Sequence, residues 1–325
     1  MKRFFTISML LFLLLSAYAQ ENKLTVKNSV LGYSMGLYPA NISQINWKDE
    51  SSFFYLEKGK VYLQGIKVED PKEVLNISLL NSILAGQGID TLRSLSSIQW
   101  LGQSLCCFYS STGIVFFQMD SLKVKTTFIF PEGATNFDVY VGGPSVAFTV
   151  ANNLYVWKDK EIVKVTNETD LGIVCGQEVS RNEFGCSKGT FWSPDGRFLA
   201  FYRKDERGVT NYPLVNIDKR IASVENTKYP MAGMKSQHLS LGIYDLDKKS
   251  QVFIEANDTV SEKYLTMVSW APDSKSIYIG VLNREQNHLK LNNYDVASGN
   301  LVSLVLEEKH SKYVEIGRAS CRERV

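Results

Sequence analysis

Only a few short strings in this chain carry residue types and spacings that could do chemistry. Gly32-Tyr33-Ser34-Met35-Gly36 has the letters of the G-x-S-x-G elbow, in which a serine on a sharp strand-to-helix turn becomes an acyl-transfer nucleophile. The elbow needs a buried strand before the serine, a helix after it, and an acid and a histidine later on an α/β scaffold. Here an Asn/Ser/Gln-containing run comes next and no βαβ alternation appears downstream, so Ser34 lacks the context of a nucleophile. Gly143-Pro144-Ser145-Val146-Ala147 fails at its fifth position. Asp205-Glu206 pairs two carboxylates, but Arg203, Lys204 and Arg207 surround them, which points to surface ion pairing. Cys106-Cys107 reads as buried thiols within an apolar run. Cys175 and Cys186 flank a cluster of unusual strings, and an exported chain permits a disulfide between them. The three histidines, His238, His288 and His310, are too scattered for a zinc site. No serine triad, metal site or cofactor motif is read from the chain.

The elements that would position any such site repeat along the chain. Short alternating strands recur in groups of four, each group opening near an aromatic residue. One group runs through Phe137–Val141, Ser145–Val150, Asn153–Trp157 and Glu161–Thr166. Another runs through Val268–Trp270, Ser276–Leu282, Leu289–Val296 and Leu301–Leu306. Similar openings occur at Trp47, Trp100 and Trp192. Five such units predict an all-β chain, a β-propeller of four-stranded blades that bury their faces against their neighbours. Leu75, Leu79, Leu80, Ile83 and Leu84, ending at Gly86, have helical period and predict one short inserted helix. The stretch from Arg203 to Gln237 interrupts the blade pattern, and its prolines and charges argue against a central strand.

Both ends fall outside this repeat. Met1-Lys2-Arg3, the apolar run Phe4–Leu15 and Ala17-Tyr18-Ala19 form a secretory signal pattern, so residues 1–19 are read as a signal peptide and the chain is expected to be exported, periplasmic or secreted. The apolar run is shorter than the about 20 residues needed to span a bilayer, and no membrane span is expected. Ile316–Val325 looks like a translated sequencing adapter, leaving residues 20–315 as the propeller body, with the natural protein expected to continue past Glu315. The formal charge of the whole chain is +2. Lys2, Arg3, Arg318, Arg322 and Arg324 lie in the two ends, so the body carries a slight acidic excess, which speaks against nucleic acid as a partner.

The strings between Arg181 and Gly233 occur in a telling order: Arg181-Asn182-Glu183-Phe184-Gly185, Gly189-Thr190-Phe191-Trp192-Ser193-Pro194-Asp195-Gly196, Ala200-Phe201-Tyr202-Arg203-Lys204-Asp205-Glu206, Tyr212-Pro213-Leu214-Val215 and Lys228-Tyr229-Pro230-Met231-Ala232-Gly233. This order resembles the N-terminal β-propeller of the dipeptidyl peptidase IV branch of the prolyl oligopeptidase family, exported serine exopeptidases that release N-terminal dipeptides. The resemblance implies that the catalytic Ser, Asp and His, with a preference for proline or alanine beside the cut, belong to a C-terminal α/β-hydrolase domain this chain does not contain, so the chain alone is expected to be inactive. It implies peptides with a free N-terminus as partners, and a homodimer through the 203–237 arm. Counting back from Trp192 places Asn182-Glu183 on the family's Glu-Glu pair, which binds the substrate's α-ammonium; the first carboxylate is replaced by an amide. A carboxylate suits a compact cation with three donors. Against this stand a solvated loop glutamate or one that partners Arg181, and a propeller that is a stand-alone binding or scaffold protein.

Overall fold

The computed structural model describes residues 24–37, 42–67, 70–95, 98–254, 256 and 262–314. The signal-peptide and adapter readings, at residues 1–19 and 316–325, lie outside these. The chain divides into two compact units, Met1–Ser43 and Gln44–Val325. In the first, the described residues include a short helix, α1 (Val26–Leu31), that starts at Thr25, whose side chain accepts from the Asn28 N–H at 3.1 Å.

Among the described residues, the second unit holds five blade sheets arranged strictly in chain order and one separate two-stranded hairpin. The first comprises β1 (Ser43–Trp47), β2 (Ser52–Glu57), β3 (Lys60–Gly65) and β4 (Lys72–Asn76). The second comprises β5 (Gln99–Trp100), β6 (Leu105–Tyr109), β7 (Gly113–Gln118) and β8 (Lys123–Ile129), and the third β9 (Ala134–Val139), β10 (Val146–Val150), β11 (Asn153–Lys158) and β12 (Glu161–Lys164). In the fourth, β13 (Ile173–Cys175) and β14 (Thr190–Trp192) both pair with β15 (Phe198–Asp205). A separate hairpin, β16 (Asn211–Asn216) and β17 (Ser223–Lys228), intervenes before β18 (His238–Asp245) and β19 (Ser250–Ile254). The fifth is β20 (Lys263–Trp270), β21 (Ser276–Asn283), β22 (His288–Asp295) and β23 (Leu301–Lys309). These are the blades of a propeller, I to V. The inserted helix α2 (Ile77–Ala85) comes after blade I. Its N-cap Asn76 accepts from the Leu79 N–H at 2.9 Å, and Leu80 and Leu84 are buried.

The core is partitioned between blades. Because strand side chains alternate faces, adjacent residues enter different interfaces. Cys106 packs with blade I residues Phe54 and Val61, while Cys107 packs with blade III residues Val146 and Phe148. Leu199 and Phe201 face blade III; Ala200 and Tyr202 face blade V. This partition explains the first correction. Cys175 and Cys186 form no disulfide but are free and buried, Cys175 packing toward blade III and Cys186 toward blade V. Burial pushes the Cys175 thiol up to about 11, so it stays protonated.

Tryptophans at the blade openings act as repeated staples. The indole N–H of Trp100 in blade II donates to the Gln44 carbonyl in blade I at 3.0 Å. Trp192 in blade IV reaches the Asp138 carbonyl in blade III at 3.1 Å, and Trp270 in blade V the Phe191 carbonyl in blade IV at 3.0 Å. Each buries an aromatic face and satisfies its single donor in the preceding blade.

Two further expectations are adjusted. The insertion starts later than its charges suggest, because Arg203–Asp205 remain within β15 and pair with both Ile173–Cys175 and His238–Ser240. The inserted segment itself folds as a hairpin, with Pro213 opposite Asn226 in a two-stranded sheet attached to no blade strand. Pro213 costs little there because each strand of an isolated pair is an edge. In the first unit, Ser34 comes after a helix rather than a strand and donates to the Leu31 carbonyl at 2.9 Å, which is not elbow geometry.

Candidate functional site

Blade IV differs from the others in its first strand, which is cut in two. Ile173–Cys175 pair with Arg203–Asp205, and Thr190–Trp192 pair with Leu199–Phe201. Tyr202, between these partners, serves both halves: its carbonyl accepts from Gly176 N at 2.9 Å and its N–H donates to Gly189 O at 3.0 Å. The chain leaves the ladder at Gly176, loops out, and re-enters at Gly189 on the next rung. The neck of this loop is tight. A Cβ on Gly189 would sit 2.3 Å from the Gln177 carbonyl carbon, so only glycine fits without moving backbone.

Within the loop, Ser180–Gly185 form a 3-10 helix. Ser180 and Phe184 have positive φ, +55° and +54°, an uncommon conformation for side chains of this kind. Phe184 anchors the turn: it packs into the core with Cys186 and lies against Tyr264 of β20 at a centroid distance of 4.8 Å. Glu183 is thereby presented outward. It is exposed, and its side chain has no hydrogen-bond or ion-pair partner among the described residues. Asn182 lies on the same turn, but its side chain and that of Arg181 are outside the described residues.

Glu183 lines a cavity of about 510 Å³ built by three elements. The loop contributes Glu178, Val179, Ser180 and Glu183; the end of β15 contributes Lys204 and Glu206; the base of the hairpin contributes Asn226 to Pro230. Tyr264 completes the wall, and burial, with the Glu183 charge acting in the same direction, raises its phenol pKa. On the other side of the turn lies an apolar pocket of about 480 Å³, lined by Phe184, Cys186, Phe191, Tyr202 and Met267 among others. The turn therefore separates a polar cavity that carries Glu183 from an apolar one that holds its anchor.

Asp205 and Glu206, expected as one surface pair, part company. Asp205 is bound by the Arg207 guanidinium at 2.5 Å, which with hydrogen bonding holds its carboxyl down at about 2. Glu206 turns into the cavity wall beside Lys204 at 3.0 Å, with only 15% of its side chain exposed. The sequence carries no signal for that difference, since the two carboxylates differ only in which side of the strand end they leave. Trp192 to Gly196 prove architectural: Ser193 and Asp195 bond each other at 2.6 Å in a turn. A Cβ on Gly196, at φ +67°, would meet the Tyr140 ring at 2.6 Å. No group of His, Cys, Asp and Glu suited to hold a metal occurs among the described residues, and none of their helices is long and apolar enough to cross a membrane.

Fold and site together define a propeller of four-stranded blades that presents, from a loop interrupting a blade, a carboxylate without a partner among the described residues. Residues 109–322 match the family described as the dipeptidyl peptidase IV (DPP IV) N-terminal region, and the chain belongs to that family. Among curated proteins it is 30% identical over 171 residues to a probable dipeptidyl-aminopeptidase B of Pyrenophora tritici-repentis, and 32% identical over 178 residues to that of Fusarium vanettenii. Each alignment covers 47% of this chain and 19% of the relative. Among solved structures, a putative dipeptidyl aminopeptidase IV from Bacteroides ovatus superposes with a TM-score of 0.75 at 38% identity, over 86% of this chain and 39% of that one. Porphyromonas gingivalis dipeptidyl peptidase 4, at 18% identity and a TM-score of 0.67 over 90% of this chain and 43% of that one, shares the fold. The chain thus spans a fifth to two fifths of the proteins it resembles, and its role is peptidase-related.

Proposed function

We propose that this chain is the substrate-reading propeller of an exported serine dipeptidyl aminopeptidase, whose reaction takes place on a separate α/β-hydrolase domain. In this reading Glu183 pairs with the α-ammonium of a peptide with a free N-terminus, and Asn182 supplies a hydrogen-bond acceptor in place of a second charge. The cavity fixes where the chain begins, so that the scissile bond falls a dipeptide away, with proline or alanine beside the cut. The β16–β17 hairpin, through exposed Leu214, Val215 and Val224, would serve as a dimer contact.

The observation that carries the reading is the Glu183 carboxylate, held without a partner among the described residues at the edge of a cavity by a turn with two positive-φ residues. Backbone held in sparsely populated conformations costs on the order of 1–3 kcal/mol per residue and persists where the surroundings over-determine it, commonly at binding sites. An ammonium entering such a cavity gains a charge-assisted hydrogen bond that a blocked amino terminus forfeits. The test is Glu183→Gln in the full-length enzyme, assayed on dipeptidyl substrates with free and acetylated amino termini. Loss of about 2–5 kcal/mol of discrimination is expected. Unchanged discrimination would remove Glu183 from the site.

A further inference from the structure

Glu206 is the feature of the cavity that this reading leaves unused. Its backbone is fixed on both sides: its N–H donates to the Gly172 carbonyl at 2.7 Å, and its carbonyl accepts from Val209 N at 3.0 Å. Its side chain is largely buried, as is that of Lys204, which is 17% exposed. Yet both line the cavity, with the lysine ammonium 3.0 Å from Glu206 Oε1. No hydrogen bond to the Glu206 carboxylate occurs among the described residues, and neither of its oxygens is among their side-chain atoms sealed from solvent without a partner, so the carboxylate keeps acceptor capacity at the cavity wall. The other cavity lysine, Lys228, directs its ammonium to the Val209 carbonyl at 2.9 Å.

A carboxylate has about four lone-pair sites, so Glu206 keeps Lys204 and still has an oxygen to offer. Burying an ion pair gains little over apolar packing in the same space. A largely buried pair at the wall of an open cavity, with acceptor capacity left over, is therefore better explained by a third charge that joins it. A primary ammonium has three donors, more than Glu183 alone satisfies in good geometry. A second carboxylate on a different element would fix the direction of the ligand as well as its charge.

We propose that Glu206 is a second acceptor for the ligand's ammonium, so that the amino terminus is held between Glu183 on the 3-10 turn and Glu206 at the end of β15, with Lys204 the internal cation that the ligand joins. This rests on the amino-terminus reading of the cavity. It makes the site selective for unblocked primary amines, and it places one of its two acceptors at the root of the hairpin.

The test is a titration of the 325-residue chain with the tripeptide Ala-Pro-Ala and its N-acetylated form, read as Kd by NMR, for wild type, Glu183→Gln, Glu206→Gln and Lys204→Met, each with a thermal melt. Wild type is expected to prefer the free peptide. Glu206→Gln should weaken that binding roughly tenfold or more and leave the acetylated form unaffected. Lys204→Met, which keeps the carboxylate and removes its internal cation, should bind the free peptide at least as well as wild type. Wild-type affinity in Glu206→Gln alongside a loss in Glu183→Gln would overturn the role of Glu206 and leave that of Glu183 standing. Equal losses in Glu206→Gln and Lys204→Met, with lowered melting temperatures, would show the pair to be purely structural and overturn the proposal. Equal wild-type affinity for both peptides would overturn the amino-terminus reading and this proposal together.

Discussion

Between blades II and III, Phe128 sits 5.3 Å from Phe148 and 5.2 Å from Trp157, with Phe116 stacked on the same indole at 5.7 Å. Between Gly176 and Gly189, a loop of similar length to a blade hairpin buries little beyond Val179, Phe184 and Cys186, carries two strained residues, and faces a polar cavity. The first region is held by area: many apolar atoms, none individually decisive, arranged by the two-residue period of the strands. The second is held by a few fixed points, namely a neck one glycine wide, two hydrogen bonds to Tyr202 and one aromatic anchor. Tolerance should therefore differ, with the blade interface losing stability by degrees and the loop losing its geometry at single positions while the fold survives.

The largest effect expected from that contrast is in the interface. Phe128→Ala removes a ring that is 1% exposed and should cost about 3–5 kcal/mol in urea denaturation. A loss below about 1 kcal/mol would mean that the blades pack far more loosely than the ring distances indicate. Gly189→Ala should come next, at roughly 1–3 kcal/mol, because the added carbon collides with backbone rather than with a movable side chain. Its signature is a loop that separates from the ladder while the blades stay folded, visible as new amide exchange at Gly176 and Tyr202. If Gly189→Ala instead unfolds the chain as completely as Phe128→Ala, the loop and the interface are not distinct classes of structure. The smallest effect should be at Asp205, whose partner Arg207 is half exposed, so that Asp205→Asn costs less than about 1 kcal/mol. Since the folded carboxyl is depressed to about 2 from 3.8, this contribution is present above pH 3.8 and disappears as pH falls toward 2. A difference between Asp205→Asn and wild type that persists below pH 2 would rule out the ion pair as its source.

The same contrast decides what can be read from sequence. Strand alternation and aromatic openings are local signals, and the five blades and the Ser193–Gly196 turn appear where those signals put them. The helix ends before Gly86 as expected but starts at Ile77, because Leu75 of the helical pattern lies in β4 and Asn76 caps the helix. The role of the opening tryptophans is not legible, because each indole donates to a carbonyl in the preceding blade, far away in sequence. The β16–β17 hairpin is hidden by Pro213 and its charges, which lower strand propensity without forbidding an isolated pair. Glu183 is legible only through its spacing from Trp192, and its setting in a mixed-charge cavity comes from three elements that converge in space. Glu206 reads as surface because adjacent residues on a strand end point in opposite directions, and sequence does not say which direction is inward.

The neck at Gly176 and Gly189 also bears on how such a loop could change over time. Because Tyr202 bonds both halves of the broken strand, the blade is closed whether the excursion is long or short. Lengthening a flexible loop costs only about 0.6 kcal/mol per doubling. Apart from Val179, Phe184 and Cys186, which pack into the core, residues between Gln177 and Lys188 are therefore largely insulated from the stability of the sheet that bears them. Insertions and exchanges there would alter what the chain recognises while the propeller keeps its fold, which makes this segment the natural place for related chains to diverge in specificity.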